Sequence, residues 1–435
     1  MKQQHTFKIA SLGIQHVLAM YAGAVIVPLI VGGALKFNGE QLTYLVSIDI
    51  LMCGIATILQ VWQNRFFGIG LPIVLGCTFT AVGPIIAIGS QYGISAIYGS
   101  ILLSGLIVIL ISGFFGKLIK FFPPVVTGSV VTIIGITLIP VAMNNIAGGQ
   151  GSPDFGSLSN ISLAFGTLLF IILLYRFTKG FIRSISILLG LVAGTLAAAI
   201  MGKVNFSAVG DASWFHMVKP FYFGTPTFEL TPIITMTLVA IVSLVESTGV
   251  YFALSDITGK KLSEKDLSKG YRAEGLASII GALFNAFPYT TYSQNVGLVQ
   301  LSGVKGKNVI YTMGGMLIFL GFVPKIAALT TVIPTPVLGG AMVAMFGMVI
   351  AYGIKMLSKV EFASQENLLI IACSVGMGLG VTAVPTLFDH LPESVKILTN
   401  NGIVAGSLTA IFLNIVFNVS KRTKDQTNVH ELKAS

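Results

Sequence analysis

Apolar runs of about twenty residues, the length of a membrane-crossing helix, recur along this chain from end to end. Charged or Pro/Gly-rich stretches punctuate them, and runs of that length predict transmembrane helices rather than buried core helices. Fourteen candidate spans begin near Ser11, Gln41, Gly68, Ser95, Phe122, Ile161, Ser184, Pro232, Tyr271, Tyr289, Asn308, Pro336, Glu366 and Gly402. The first run follows two lysines but is too long for a cleavable signal region. No small-residue cleavage site closes it early, so it reads as an uncleaved first span.

Two spans break the pattern. The third, "GIGLPIVLGCTFTAVGP" from Gly68 to Pro84, is packed with Gly, Pro and small polar residues. The tenth follows "NAFP" (Asn285 to Pro288) and contains "TTYSQNVGLVQLSG" from Thr290 to Gly303. Sixteen residues separate Pro288 from Lys305, fewer than the roughly twenty a helix needs to cross. Non-helical backbone at membrane depth is tolerated only where protein or a water-filled cavity surrounds it. Both segments are therefore predicted to be part extended and part short helix, facing each other across a central site. Re-entrant loops serving only packing are the plainer alternative, but they do not explain matched breaks in both halves of the chain.

Those halves resemble each other. "PVVTGSVVTIIG" from Pro124 and "PVLGGAMVAMFG" from Pro336 share Pro, Val, Gly and the closing Gly at an offset of 212 residues. "AIYGS" around Tyr98 and "VIYTM" around Tyr311 match at an offset of 213. Seven spans separate the matched elements; seven is odd, so the two halves, residues 1–210 and 211–435, must cross the membrane with opposite orientation. Inverted repeats of this kind mark secondary transporters, which hold substrate near the midplane where the halves meet. The fold class expected is an all-α polytopic membrane protein with a 7+7 inverted repeat and broken segments 3 and 10.

Composition agrees: 54% of residues are apolar, 10% are charged, and the mean hydropathy is +0.88. A water-soluble fold, with its charged surface, is excluded. The net charge of +10 would suggest nucleic acid if the charges were spread evenly. With a cytoplasmic N-terminus, however, all 26 Lys and Arg except Lys36, Lys203, Lys219, Lys325 and Lys396 fall on the cytoplasmic side. This satisfies the positive-inside rule with both termini in the cytoplasm, and no nucleic-acid partner is needed. Cys53, Cys77 and Cys373 have no paired spacing, which predicts neither a disulfide framework nor a metal site. No cofactor is called for.

Ionisable groups inside the spans are few. Glu246, in "LVAIVSLVESTGVY", lies near the middle of the eighth span. A carboxylate there is costly and must face a cavity or a partner; taking up a proton removes the cost, which makes it a natural proton carrier. The alternative is a structural carboxylate bonded to a neighbouring helix. His16, in "SLGIQHVLAM", sits about one turn into the first span, as site support or as a packing residue. Asp49 lies deeper in the second span, where a helix–helix hydrogen bond is favoured over a substrate contact. Glu274, in "YRAEGLAS", is placed at the start of the ninth span, where the helix dipole is a sufficient reason for a carboxylate; it is a secondary proton-coupling candidate. Gln294 and Asn295 offer a donor and an acceptor on one rigid plane. With the acceptor-only Glu246 they suit a flat ligand that alternates N–H and C=O, as nucleobases do, and Phe79 could supply a stacking face. The buried charge is negative, which argues against an inorganic-anion exchanger.

At these residues a resemblance becomes specific. "QNVGLVQLSG" resembles the signature of the nucleobase–ascorbate transporter family, Gln-Asn-x-Gly-x-x-x-x-Thr-(Arg/Lys/Gly), carried here by Gln294, Asn295, Gly297, Ser302 and Gly303. Ser302 replaces Thr and keeps the hydroxyl. The "QH" of Gln15 and His16 matches the family's first-span pair, and "ESTG" from Glu246 its eighth-span acid. "FPYTTYSQNVGLVQLSGV" is most similar to bacterial xanthine and uric acid permeases, and uracil-type members carry an acid where this chain has Gln294. The resemblance implies a core domain of spans 1–4 and 8–11 and a gate domain of spans 5–7 and 12–14. It further implies elevator-like movement, proton symport of an oxidised purine, most simply xanthine, and a homodimer in the cell membrane. It would place substrate against Glu246, Gln294 and the backbone at Phe79, Tyr292 and Ser293, with Asn295 and His16 in support. Many xanthine carriers have an acid four residues after the eighth-span Glu; this chain has Val250, which leaves Glu246 as the main proton candidate.

Rival readings are weaker. A passive channel would show a continuous polar stripe along several helices. A membrane enzyme would need a nucleophile–base pair or clustered metal ligands at membrane depth, whereas His5, His216, His390 and His430 are terminal or in loops. Within the transporter class, uric acid, guanine or hypoxanthine as substrate, and a cation-independent facilitator, stay open.

Overall fold

The structure, a computed structural model, describes residues 2–117, 122–303, 305–392, 396 and 399–419, without the side chains of 2–7, 294, 301, 302 and 419. Lys120 and the C-terminal cations Lys421, Arg422, Lys424 and Lys433, counted above toward orientation, lie outside the described residues.

Helices dominate. The first half contains α1 (Lys2–Ala34), α2 (Gly39–Val61), α3 (Val82–Tyr92), α4 (Ile94–Lys117), α5 (Pro124–Ile146), α6 (Leu158–Phe177), α7 (Gly180–Ser184) and α8 (Ser186–Ile200). A connecting segment holding α9 (Ser207–Asp211) leads to α10 (Leu230–Thr258), α11 (Glu264–Leu283), α12 (Ser293–Ser302), α13 (Lys307–Gly321) and α14 (Pro324–Thr331). The chain then forms α15 (Thr335–Leu357), α16 (Gln365–Ala383) and α17 (Gly402–Asn414). Among the described residues, eight helices are long and apolar enough to cross a membrane, or nine if α13 and α14, bent by 81°, are one span. The other candidate spans fail that criterion for local reasons. The α11 helix carries Glu264, Lys265, Asp266, Lys269, Arg272 and Glu274, while α8 and α17 are short and the third and tenth spans are broken.

Helix ends follow from short signals. Asn38 and Gln41 form a capping box at α2, each side chain accepting the other's backbone N–H at 2.9 and 3.0 Å. Ser263 and Asp266 do the same at α11. Pro124 and Pro336 lie in the first turns of α5 and α15, where the missing N–H costs nothing.

The helices pair through glycine. Helices α5 and α15 pack antiparallel: a side chain at Gly128 would meet Leu357, one at Gly135 would meet Ile350 and Phe346, and one at Gly353 would meet Thr132. Gly54 of α2 crosses Gly314 of α13, and Gly105 of α4 crosses Gly275 of α11. Lipid supplies no hydrophobic drive between helices, so close backbone approach at small residues is what holds them. Meanwhile α6 and α16 leave large apolar side chains such as Leu169, Ile172, Leu369 and Met377 exposed, as helices facing lipid do.

Both broken spans turn at membrane depth. The third runs through strand β1 (Leu75–Cys77) and a 3-10 turn at Phe79–Ala81 into α3; the tenth runs through β2 (Tyr289–Thr291) into α12. The strands pair antiparallel, Leu75 with Thr291, Gly76 with Thr290 and Cys77 with Tyr289. Each thereby satisfies backbone groups that the other's break exposes. Helix α12 stops at Gly303, whose φ of +63° is the left-handed cap glycine favours.

Candidate functional site

The antiparallel strands lead into α3 and α12 from opposite ends of the ribbon, so two short helices begin beside it, each with its positive end toward the break. Helix α10 runs beside them. Its Glu246 is half-buried and accepts a hydrogen bond from the Thr80 hydroxyl, at 3.4 Å, in the turn that begins α3. The structure thus brings the eighth-span acid against the third-span break.

Around that carboxylate stand aromatic rings. Phe79 makes an edge contact with Phe346 of α15 at 5.5 Å and a tilted one with Tyr292 at 6.3 Å. The Tyr292 ring lies over Gly76 of β1 and Gly23 of α1, positions where any side chain would collide with it. Asn295 donates to His16 Nδ1 at 3.2 Å and lies 3.5 Å from the His16 carbonyl, while its own Oδ1 is buried without a partner among the described residues. His16 is buried on α1, so the first-span histidine and the signature asparagine are in direct contact. Ser293 is half-buried at the start of α12, and Gly297 is exposed with open space where a side chain would sit. Gln294 belongs to the first turn of α12, but its side chain and that of Ser302 lie outside the described residues.

Glu274 requires a correction. It was placed at a helix start beside the dipole, but α11 begins at Glu264 and Glu274 sits in its middle, buried. What holds it is a polar cluster: Ser247 donates to Oε2 at 3.0 Å, Tyr251 donates to Oε1, and Gln60 Nε2 lies 3.5 Å from Oε1. The Ser247 hydroxyl also meets Thr290 of β2 at 3.0 Å. Ser247 follows Glu246 in the chain, so this cluster links the second acid to both the first and the ribbon. Val250 is buried on α10 one turn beyond Glu246. Asp49 is corrected too. Its hydrogen bond goes to the backbone N–H of Phe287, at 2.8 Å and inside the tenth-span break, not to a neighbouring helix.

Beside α10 lies a cavity of about 460 Å³ between α5, α10, α12 and α15, lined by Gly249, Val296, Gln300 and Tyr352, with Asp256, Lys355 and Lys359 also on its wall. Gly249 is one turn from Glu246 on the same helix face, and Tyr352 lies within electrostatic reach of Glu246. A larger cavity of about 740 Å³ sits between the connecting segment and α2, lined by Glu40, Tyr44, His216 and Tyr222. Neither cavity is lined by Glu246, Thr80, Phe79 or Tyr292, but the smaller one runs along the α10 face that carries Glu246. Sequence reading missed Tyr352, Phe346 and Thr80, since a tyrosine, phenylalanine or threonine in an apolar helix carries no signal of what it faces.

A multi-pass helical membrane protein with two broken spans paired through their strands and an intramembrane acid beside them defines a class, the membrane transporters. The particular family follows from comparison. The profile of the permease family Xan_ur_permease matches residues 7–387, and the chain belongs to this nucleobase–ascorbate transporter family. It is 70% identical to a xanthine permease of Bacillus subtilis over 96% of this chain and 95% of the relative. It is 68% identical to the nucleobase transporter PlUacP of Paenibacillus larvae, over 97% of this chain and 99% of that one. A uric acid permease of B. subtilis, PucK, is 67% identical over 97% of this chain and 98% of its own. Among solved structures, the transmembrane domain of a cyanobacterial bicarbonate transporter, BicA, superposes with a TM-score of 0.64 at 15% identity, over 94% of this chain and 98% of that chain. A murine Solute Carrier 26 anion transporter gives a TM-score of 0.59 at 12% identity, over 94% and 68%. At such identities the likeness speaks for the fold alone. The protein is a membrane transporter of purine bases, not an enzyme.

Proposed function

We propose that this protein imports an oxidised purine, xanthine first, by proton symport across the cell membrane, with both termini in the cytoplasm. The observation that carries the reading is Glu246: a carboxylate at membrane depth, hydrogen-bonded to Thr80 of one broken span and facing the ribbon that begins the other. A proton on Glu246 lets it donate to a ring nitrogen or carbonyl; its loss returns an acceptor. Gln294 supplies the complementary donor and acceptor, Phe79 a stacking face, and the backbone at Tyr292 and Ser293 the remaining contacts. Asn295 and His16 hold the start of α12, and Glu274 holds Ser247 and β2.

Fourteen spans in two inverted seven-span repeats, residues 1–210 and 211–435, account for the pairing. Exchanging the halves carries the α2–α13 contact onto α11–α4 and sends α5 onto α15. On this reading spans 1–4 and 8–11 form a core that carries substrate past a gate of spans 5–7 and 12–14, in a homodimer. The cavity between α10, α12, α5 and α15 would then be the cytoplasmic way out. Uric acid is the alternative substrate, favoured by one observation: a uric acid permease is within three percentage points of the xanthine permease in identity to this chain.

The test is uptake of labelled xanthine into proteoliposomes, with an inward proton gradient and without one. Unlabelled xanthine, uric acid, guanine, hypoxanthine and uracil serve as competitors. Accumulation that needs the gradient and is blocked by oxopurines supports the proposal, and stronger competition by uric acid than by xanthine itself moves the assignment to uric acid. Uptake indifferent to the gradient removes proton symport. A wild-type protein that takes up no purine sinks the substrate assignment.

A further inference from the structure

The two faces of the β1–β2 ribbon carry separate polar systems. Strand alternation puts Thr290 on one face and Tyr289 and Thr291 on the other. Thr290 meets Ser247, the chain neighbour of Glu246, and through it Glu274. The opposite face belongs to α2. There Thr57 bonds both the N–H and the carbonyl of Leu75, at 3.0 and 3.3 Å, and Asp49, about two turns away on the same helix face, accepts from Phe287 N–H at 2.8 Å. One helix therefore carries both strands, β1 directly and β2 through Phe287, two residues before it.

Asp49 is fully buried, and its second oxygen, Oδ2, has no hydrogen-bond partner among the described residues. The groups facing it are the Cys77 thiol on β1 and the Tyr289 hydroxyl on β2, with Cys53 beside Cys77 on α2 and Tyr98 on α4 beyond. The hydroxyls of Tyr289 and Tyr98 are likewise buried and unpartnered among the described residues. No Lys, Arg or His pairs with Asp49 among them. With one backbone donor in place, only a thiol and a phenol near the other oxygen and no cation, a charged carboxylate is costly at this depth. A metal ion does not fit either: calcium or magnesium would want about six oxygens, and the described residues hold no group of His, Cys, Asp and Glu placed to bind a metal. A proton does fit, because it removes the charge and gives the bare oxygen a hydrogen to direct at Tyr289 or Cys77.

We propose that Asp49 is a second proton-binding site of this transporter, on the far face of the ribbon from Glu246, where as the neutral acid it positions β2 through Phe287. The role assigned to β2 rests on the transport reading above; the bound proton does not. The test is infrared spectroscopy of the full-length protein in lipid nanodiscs, prepared with carbon-13-labelled aspartate, alongside xanthine uptake by the same preparation. The other described aspartates, Asp154, Asp211, Asp256, Asp266 and Asp389, lie at exposed or half-buried positions. A protonated-carboxyl carbonyl band that shifts with the aspartate label at neutral pH, and that Asp49→Asn removes, is the result expected. No such band in the wild type overturns the proposal and requires no variant to fold. Asn at 49 is neutral and keeps the acceptor for Phe287, so Asp49→Asn should take up xanthine within about threefold of wild type. Asp49→Leu strands the Phe287 N–H and should lose about tenfold or more. Loss of uptake in Asp49→Asn, with normal amounts in the membrane, would mean that the charge is needed and would overturn the proposal. A band present in a wild type that takes up no purine sustains the proton site and sinks the transport reading.

Discussion

Glu246 and Glu274 show how differently two acids of the same charge can be written into one chain. Glu246 is conspicuous because it stands alone in an apolar run, and its neighbour in space, Thr80, lies in a segment already marked by its glycines. Glu274 hides among the charges of "EKDLSKGYRAE", so only the contacts of Ser247 and Tyr251 reveal that it is buried. Glu246→Gln should abolish gradient-driven accumulation, lowering xanthine uptake about tenfold or more, with normal amounts of protein in the membrane. Gln294→Ala should lose uptake or change which purine competes; unchanged uptake by that variant would return α12 to a packing role. Gly76→Ala, which forces a methyl against the Tyr292 ring, tests the ribbon's geometry. It should reduce uptake and lower the melting temperature together, as read by thermal unfolding in detergent.

At the scale of elements, the eight long apolar helices were legible because hydropathy along the chain needs no knowledge of partners, and the two breaks were legible from Pro, Gly and short polar residues; the charged start of α11 was not. The extended parts of the breaks and their facing each other were expected; what could not be read was that the two strands hydrogen-bond to each other, and in which register. That pairing joins residues far apart in the chain, and its hydrogen bonds are between backbones, on which side-chain letters leave no mark. The α5–α15 contact lies between these cases: the matched prolines and glycines at the start of each helix were visible, their packing against one another was not. Gly135→Leu should drive a side chain into Ile350 and the Phe346 carbonyl and cost about 1–3 kcal/mol. The check is a lowered unfolding midpoint relative to Gly347→Leu, whose position on α15 is open.

Across the whole molecule, the connection between the halves is docked rather than loose. His216 gives its backbone N–H to the Phe322 carbonyl, at 3.4 Å, and a ring N–H to the Gly321 carbonyl at 3.2 Å; Tyr44 donates to the Lys219 carbonyl at 2.8 Å. Partial burial pulls the His216 ring below the usual histidine range, against a smaller opposing effect of the Gly321 carbonyl. The undocked segment, with an ordinary pKa of about 6.5, therefore binds a proton more readily than the docked one. Docking is at full strength above that value and weakens as pH falls through it. The protection of amides 212–222 against hydrogen exchange, corrected for the intrinsic effect of pH on exchange, should fall in mild acid in the wild type and lose that dependence in His216→Gln. Equal acid sensitivity in both would assign the effect elsewhere.

By itself the sequence determined that this chain lives in a bilayer, where its long apolar helices run, that two spans are interrupted, and that Glu246 and Asp49 stand in apolar runs. These follow from local composition, because hydrocarbon penalises every charge and every unpaired backbone group wherever it occurs. Tertiary structure alone decided which groups meet: that the interruptions pair strand to strand, that Asn295 reaches His16, that Glu274 is buried against Tyr251, and that Asp49 holds Phe287. Such contacts depend on how helices cross at glycines and how strands register, and a chain read one residue at a time carries neither.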